Sequence, residues 1–504
     1  MPNKIIEQYK ITADNVTIDI QIKSGEGSIK KYNLVIPEIG KATKALLDDI
    51  KDELIVEVQV SGKEILDPKI VYELKDRFGK VASIILEKRL PLENKTTKEI
   101  MVNKLVRDML GLGEIEFLLN DSWLEEIVVN SASEPIRVYH KKYGWLETNI
   151  TLDSEAQILN YSNIIARRVG RQITALNPLL DAHLITGDRA NAVLYPIATK
   201  GHTITIRKFA RDPWTVTDFI ENQTVSSEIM SLIWLGMQYE MNILISGGTA
   251  SGKTSFLNTI LPFIPPNQRI ISIEDTRELE LPIYLYWVPL VTRLPNPEGK
   301  GEICMLDLLV NSLRMRPDRI ILGEIRRKRD AEVLFESMHT GHSVYGTVHA
   351  NTVSETIQRL INPPIEVAEN LLQAVHLNVV LFRDRRRGIR RVFQVGEFLA
   401  SEEEGKVSIK PNIIYRWKPN SDKLVQHNVM TKFYEELNRH TGLSEAEIQN
   451  DMKEKQKVLD WMVNKKVRQI NDVGKIIKYY YIDPEIVLKV VTKNGDPKEI
   501  LKND

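Results

Sequence analysis

The chain has 504 residues, 42% of them hydrophobic and 27% charged, which is the composition of a globular protein with about two to four domains and excludes wholesale disorder. Its 68 basic and 68 acidic residues leave no formal net charge, so bulk electrostatic capture of nucleic acid is not expected. The single cysteine, Cys304, excludes an internal disulfide and a zinc site built on cysteines.

Residues 1–95 are predicted to form an N-terminal module that ends in a linker at residues 90–95, where Pro91 disfavours a helix. Within it, residues 16–22 alternate apolar and polar side chains, as a half-buried strand does, and residues 42–54 are predicted to be helical. The module carries no recognisable chemistry. A docking role and an inert cap therefore both stay open.

Residues 96–212 are predicted to form a small α+β domain. A helix is expected at residues 99–110 and another at residues 155–169. Short apolar runs predict strands at residues 126–130 and 135–139.

Residues 213–400, in contrast, alternate strands with helices, which indicates a parallel α/β sheet. The tail, residues 401–504, begins with a strand and then becomes helical and highly charged. The predicted strands of the sheet are residues 242–246, 269–273, 319–322, 343–348 and 378–382, with helices at residues 305–314 and 330–339 between them.

A phosphate-binding loop follows the first strand of this sheet. The sequence fits the pattern G-x-x-x-x-G-K-[S/T] and stands between an apolar strand and a helix, a context that a chance glycine-rich turn would lack. Backbone N–H groups at a helix N-terminus would bind an anion, Lys253 would neutralise the β- and γ-phosphates, and Thr254 would offer its hydroxyl to Mg²⁺. The predicted nucleotide-binding residues of the loop are Gly247, Gly248, Thr249, Ala250, Ser251, Gly252, Lys253 and Thr254.

Acidic residues follow two further strands, at the edge where ligands of parallel sheets bind. Hydrolysis of a nucleoside triphosphate needs one carboxylate near Mg²⁺ and one that orients the attacking water. Glu324 is the predicted Mg²⁺ ligand, and Glu274, followed directly by Asp275, is predicted to polarise the water. The structural alternative is a solvated strand-end acid for Glu324 and a helix cap for Glu274 and Asp275.

Three of the nine histidines, His339, His342 and His349, lie within eleven positions. Metal binding is one interpretation, although the spacing fits no familiar ligand pattern. A second interpretation makes His349 a sensor of the γ-phosphate at a strand end. In the third interpretation, the histidines are structural residues whose hydrogen bonds are satisfied.

Together these motifs resemble the secretion-superfamily ATPases, which drive type II secretion, type IV pili and the archaeal flagellum. One difference from the family is Arg327, which stands where its members often have Asp. The matching segments are residues 273–276 (acidic box), 321–326 (the G-E-[I/V/M]-R motif), 340–351 (histidine box), 125–130 and 178–181 (second N-terminal domain), and residues 263–267 and 313–317, which look like archaeal members.

The resemblance implies a RecA-like P-loop ATPase domain, a preceding α+β domain, an extra N-terminal module and a mostly helical C-terminal tail. It also implies a homo-hexameric ring in which ATP lies between the two domains and arginines of one subunit reach the phosphates of its neighbour. Arg189 matches such an arginine, and Arg207 matches one that contacts the nucleotide. For each arginine alone, a surface ion pair is the alternative.

The implied function is that of a cytoplasmic, Mg²⁺-dependent ATPase that drives assembly or secretion of a type IV pilus-like filament. It would associate with the inner face of the cell membrane through an integral membrane platform protein, because no stretch of about 18 apolar residues predicts a direct span. An archaeal flagellum motor is the first alternative.

A nucleic-acid translocating ring ATPase is the second alternative. The basic run Arg383–Arg391 could bind DNA, acidic lipid or an acidic loop of a partner, or form a solvated hairpin. The zero net charge argues against nucleic acid, which is not an expected partner. A catalytically dead scaffold is disfavoured by the intact Lys253, Thr254 and Glu324.

Overall fold

The computed structural model divides the chain into two compact units, an N-terminal unit (residues 1–211) and a C-terminal unit (residues 212–504 without 296–298). In the part of the chain that is described, each unit is built around a nine-stranded sheet. No helix in this part is both long and apolar enough to cross a membrane. The described residues are 4–13, 16–25, 29–36, 40–58, 70–184, 187–209, 213–295, 299–403 and 406–502.

The sheet of the N-terminal unit has the order β1-β2-β3-β6-β5-β4-β9-β8-β7 and is antiparallel except where β3 pairs with β6. In β2, residues Val16, Ile18, Ile20 and Ile22 are buried, which confirms the strand that the alternation predicts. The strands are β1 (Ile5–Ala13), β2 (Val16–Lys23), β3 (Lys30–Val35), β4 (Leu124–Val129), β5 (Arg137–His140), β6 (Gly144–Thr148), β7 (Leu179–His183), β8 (Arg189–Val193) and β9 (Thr203–Arg207).

Three helices of this unit pack on one another around Leu47, Phe78 and Leu105. Residues 90–94, predicted to be a linker, form the turn between two of them, and the Asn94 side chain caps the second by accepting a hydrogen bond from Thr97 N at 2.7 Å. The division of the chain into four segments stays a prediction. The helices are α1 (Lys41–Glu57), α2 (Ile70–Arg89), α3 (Lys95–Leu110), α4 (Ile115–Asn120) and α5 (Glu155–Arg168).

The sheet of the C-terminal unit has the order β12-β11-β13-β14-β10-β15-β16-β17-β18. The first six strands of this order are parallel and the last three pairings are antiparallel. The five predicted parallel strands are confirmed. The strands are β10 (Ile243–Gly247), β11 (Arg269–Glu274), β12 (Tyr286–Val291), β13 (Arg319–Leu322), β14 (Ser343–Val348), β15 (Leu377–Asp384), β16 (Ile389–Glu403), β17 (Lys406–Lys418) and β18 (Lys423–Gln426).

Helices cover both faces of the parallel strands, since Ile243 and Leu244, neighbours in β10, belong to different hydrophobic clusters. This arrangement confirms the predicted parallel α/β fold. Short 3₁₀ helices lie at Leu261–Phe263, Leu313–Met315 and Glu369–Ala374. The helices up to β15 are α6 (Val216–Glu221), α7 (Ser227–Gln238), α8 (Lys253–Ile260), α9 (Met305–Ser312), α10 (Lys328–His339) and α11 (Val353–Ile361).

The C-terminal tail is mostly helical, as predicted, and it is part of the core of its unit. Phe433, Trp461 and Ile476 are buried in the same cluster as Trp234 of α7, which stacks on Phe263 at 5.1 Å. The tail therefore covers one face of the sheet beside α7. Its helices are α12 (Lys432–Thr441), α13 (Glu445–Asn464), α14 (Ile470–Ile482), α15 (Pro484–Thr492) and α16 (Lys498–Leu501).

Candidate nucleotide site

The phosphate loop connects β10, the central strand of the nine-stranded sheet, to α8. Gly252 has a φ of 94° directly before the helix, a conformation that side chains rarely adopt. A Cβ on Gly247 would lie 2.4 Å from Ser251 Oγ, so the tight turn also requires glycine there. Ser251 closes the turn by donating a hydrogen bond from Oγ to Gly248 O at 2.8 Å.

Lys253 lies in the first turn of α8 with only 8% of its surface exposed. Its ammonium group donates to the carbonyl oxygens of Gly247 at 3.0 Å and Gly248 at 3.1 Å. Burial lowers the pKa of Lys253, against the opposing effect of the Glu324 carboxylate. The ammonium group is thus held inside the loop by two neutral carbonyl oxygens, which phosphate oxygens would replace.

A chain of polar contacts runs from Lys253 to the end of β13. Lys253 Nζ lies 3.3 Å from His349 Nδ1, and His349 Nε2 lies 3.2 Å from Glu324 Oε1. Because an ammonium group can only donate, Nδ1 accepts and the ring proton is on Nε2, facing the carboxylate. Burial and the Lys253 charge lower the pKa of His349, which favours this neutral form.

Glu324 is also held on its other side. Arg326 donates to Glu324 Oε2 at 2.6 Å and to Asp275 Oδ2 at 3.0 Å, so one guanidinium bridges the acids that follow β13 and β11. Arg326 is 59% exposed, whereas Glu324 is 18% exposed. The sequence motif contains Arg326, but sequence reasoning gave it no role, because an arginine between two acids has no motif of its own.

Glu274 ends β11 and is almost completely buried. Its Oε1 accepts hydrogen bonds from the backbone N–H groups of Glu278 at 2.8 Å and Leu279 at 3.1 Å. Its Oε2 is buried and has no hydrogen-bond partner among the described residues. Gly323 lies against it, since a Cβ there would be 3.5 Å from Glu274 Cγ. Glu274 therefore caps a turn with one oxygen, while the other is buried without a hydrogen-bond partner among the described residues.

Burial raises the pKa of Glu274 to about 7, which makes its charge a function of pH near neutrality. The folded state binds this proton more tightly than an unfolded chain, in which the pKa is 4.5. The proton therefore stabilises the folded state fully below pH 4.5, and this stabilisation is lost as the pH rises to about 7. We expect wild type to lose on the order of 3 kcal/mol of stability over this range relative to Glu274→Gln.

Urea unfolding of both proteins at pH 4.5, 6 and 8 measures this difference. The matched control is Glu336→Gln, which removes an exposed carboxylate from α10. If the difference in free energy of unfolding between wild type and Glu274→Gln is the same at all three pH values, the raised pKa of Glu274 is contradicted.

The three histidines are not brought together. His339 Nε2 lies 3.1 Å from Leu371 O, and His342 Nδ1 lies 3.2 Å from Ser337 O, so both have local structural contacts. His349 alone lies between Lys253 and Glu324. Over the described residues, no group of three or more His, Cys, Asp or Glu side chains is arranged to hold a metal ion.

Arg189 and Arg207 lie in the N-terminal unit, opposite each other on β8 and β9. Arg189 makes a two-pronged contact with Asp181 of β7, Nε to Oδ1 at 3.0 Å and Nη2 to Oδ2 at 2.6 Å. On its other side Arg207 faces Glu126 of β4 in register. The two arginines thus form a basic pair on one sheet, and their predicted roles toward a neighbouring subunit stay predictions.

A model of the family described as type II/IV secretion system protein matches residues 110–411. This range contains the phosphate loop, both carboxylates, His349 and the pair Arg189–Arg207. The chain belongs to this family. The membership confirms the resemblance that the sequence motifs carry.

Two archaeal relatives from Methanocaldococcus jannaschii agree with the resemblance to archaeal members. Uncharacterized protein MJ0900 is 37% identical over 387 residues, which are 75% of this chain and 69% of that protein. Uncharacterized protein MJ0781 is 38% identical over 345 residues, which are 67% of this chain and 46% of that protein. Among solved structures, the Legionella pneumophila ATPase DotB is 18% identical to this chain, with a TM-score of 0.39. The match spans 75% of this chain and 94% of DotB.

Proposed function

We propose that this member of the type II/IV secretion system family binds ATP with Mg²⁺ and hydrolyses it. The observation that carries the proposal is the contact chain from Lys253 through His349 to Glu324, at the carboxyl ends of parallel strands. It joins a phosphate-binding cation to a carboxylate through one imidazole. Such a chain links the place of the γ-phosphate to the carboxylate that would hold Mg²⁺.

The residues present suit a magnesium ion, which prefers oxygen ligands and keeps several waters. The hydroxyl of Thr254 and the carboxylate of Glu324 would hold it, as the sequence predicts. Mg²⁺ supplies charge neutralisation between the β- and γ-phosphates when it is bound. Glu324 Oε2 is released for that role once Arg326 turns toward Asp275 or solvent, which its exposure permits.

The other residues then have separate tasks. Lys253 exchanges its two carbonyl contacts for phosphate oxygens and so binds the β- and γ-phosphates. Glu274, in its ionised form, would polarise the attacking water by accepting a hydrogen bond from it. His349 holds Glu324 through Nε2 and senses the γ-phosphate through Lys253.

Glu324→Gln is expected to bind ATP as wild type does and to hydrolyse it at least about 100-fold more slowly. The amide keeps the shape of the side chain but loses the charge that holds the metal ion or orients water, an effect worth several kcal/mol. Equilibrium binding of a fluorescent ATP analogue and phosphate release measure the two properties. Equal loss of binding and hydrolysis would make Glu324 a structural residue, and Glu336→Gln controls for removal of a carboxylate.

The proposed assembly is a homo-hexamer that works in the cytoplasm on an integral membrane platform protein and associates with the inner membrane face through that partner. Its client would be a type IV pilus-like filament, with an archaeal flagellum as the alternative. Family membership and the exposed pair Arg189–Arg207 support this proposal.

Phosphate release with Mg²⁺ and with EDTA tests the activity, and sedimentation with and without nucleotide tests the ring. The competing function is a nucleic-acid motor, which the basic run Arg383–Arg391 favours. Salt-sensitive DNA binding by the purified protein would support it, because phosphate contacts release counterions.

A further inference from the structure

The basic run noted in the sequence forms the tight turn that joins β15 to β16. Asp384 and Ile389 face each other across this hairpin, and Gly388 has the left-handed φ of 68° that the turn needs. Arg385, Arg386 and Arg387 are exposed at the tip. The run is therefore not uniform, since its last two arginines lie in β16.

The last arginine of the run, Arg391, is fixed in place. Only 7% of its surface is exposed, and it donates two hydrogen bonds of 2.8 Å to Asp422 and one of 3.1 Å to Asn222 O. The pKa of Asp422 falls to about 2, chiefly through its hydrogen bonds with Arg391. This anchor fixes the backbone of β16 beside Arg390, which points to the other side of the strand.

Arg390 lies against the phosphate loop. Its Nε donates to Ala250 O at 3.2 Å, and its Cδ is 3.5 Å from the point where a Cβ on Gly252 would lie. The hairpin reaches the loop because β15 pairs directly with β10, the strand that leads into it. The position of Arg390 thus follows from the sheet and its Arg391 anchor.

Most of the hydrogen-bonding capacity of Arg390 is unused. A guanidinium has five N–H donors, and among the described residues the terminal nitrogens of Arg390 have no partner. Ala250 itself has a left-handed φ of 59°, so its carbonyl is turned toward Arg390. With Lys253 bound to Gly247 O and Gly248 O, the loop is contacted by two cations from different elements.

We propose that Arg390 is a second cationic ligand of the bound nucleotide and that its terminal nitrogens contact the phosphate chain. The proposal rests on the proposed function, because it requires a nucleotide in the loop. In this proposal Arg390, from the basic run, contacts the nucleotide of its own subunit, whereas the exposed arginines at the tip take no part in this contact. An arginine suits the task because its planar guanidinium can bind Ala250 O and a phosphate oxygen at once.

The test is equilibrium binding of ADP and of inorganic pyrophosphate to the full chain, which requires no turnover. Arg390→Gln should weaken both ligands at least about tenfold, as expected for a lost charge-assisted hydrogen bond. Arg390→Lys, which keeps the charge, should lose less. The matched control is Arg386→Gln, which removes the same charge from the exposed tip and should change affinity less than about twofold because solvent screens it.

The outcomes separate the inference from the function on which it rests. No binding of ADP to wild type would overturn the proposed function itself. Wild-type binding with unchanged affinity in Arg390→Gln would overturn only the role of Arg390. If Arg390→Lys loses as much affinity as Arg390→Gln, Arg390 braces the loop through Ala250 O. If the affinity for ADP falls while that for pyrophosphate is unchanged, Arg390 contacts the nucleoside. Both of these results contradict a phosphate contact.

Discussion

Lys253→Ala is expected to reduce ATP hydrolysis at least about 100-fold, to the background of the assay. Loss of one preorganised group that stabilises developing charge costs about 10²–10³ in rate, and Lys253 is also the proposed ground-state ligand of the β- and γ-phosphates. Its ammonium group is almost buried and lies 3.3 Å from His349, a position that Arg390, at Ala250 O, does not occupy. Phosphate release at saturating ATP and Mg²⁺ measures the effect.

The matched control is Lys453→Ala, which removes an exposed lysine from α13 of the same unit. It should leave hydrolysis unchanged. Thermal unfolding of the two variants checks the fold, and Lys253→Ala should be no less stable than wild type in its C-terminal unit, because burial already penalises the Lys253 charge. Hydrolysis at the wild-type rate in Lys253→Ala would contradict the site.

The parallel strands could be predicted from sequence because each is a continuous apolar run between polar segments. β10, with all five residues buried, and β14, with all six buried, are examples. β12 was missed, and it is an edge strand that contains Pro289 and is only half-buried, so its composition is less typical of a strand. The pairing of β3 with β6 joins residues more than 100 positions apart, which no local pattern indicates.

The candidate site shows the same division between local and long-range information. The strand-end rule indicates one edge of the sheet for Glu324 and, in one interpretation, for His349, and the structure brings the two side chains to 3.2 Å. The contacts of Arg326 with Asp275 and of Arg390 with Ala250 could not be predicted, because they depend on side-chain rotamers and on the course of a hairpin. The pKa of Glu274 depends on its burial, which a strand-end position alone does not specify.

If Arg189 supplies charge to the nucleotide of a neighbouring subunit, Arg189→Ala is expected to hydrolyse ATP about 10³–10⁵ times more slowly than wild type. In the structure its guanidinium is held by Asp181, and Arg207 lies opposite it in register. This contact orients the arginine on a rigid sheet and leaves nearly half of its side chain exposed. Arg137→Ala, which removes an exposed arginine from β5 of the same unit, is the control and should be active.

Mixing two inactive variants tests whether the contact crosses subunits. Under conditions where rings exchange subunits, Lys253→Ala combined with Arg189→Ala creates interfaces that pair an intact Lys253 with an intact Arg189 of the adjacent chain. Partial hydrolysis should then return, because the phosphate ligand and the stabilising charge come from different chains. If labelled subunits exchange and activity stays at zero, titration of wild type with Arg189→Ala distinguishes the remaining mechanisms. A linear decline then means that Arg189 acts within its own chain, which contradicts the prediction. Collapse at a low fraction of the variant means that the ring requires every site, which explains the missing rescue without deciding which chain supplies the arginine.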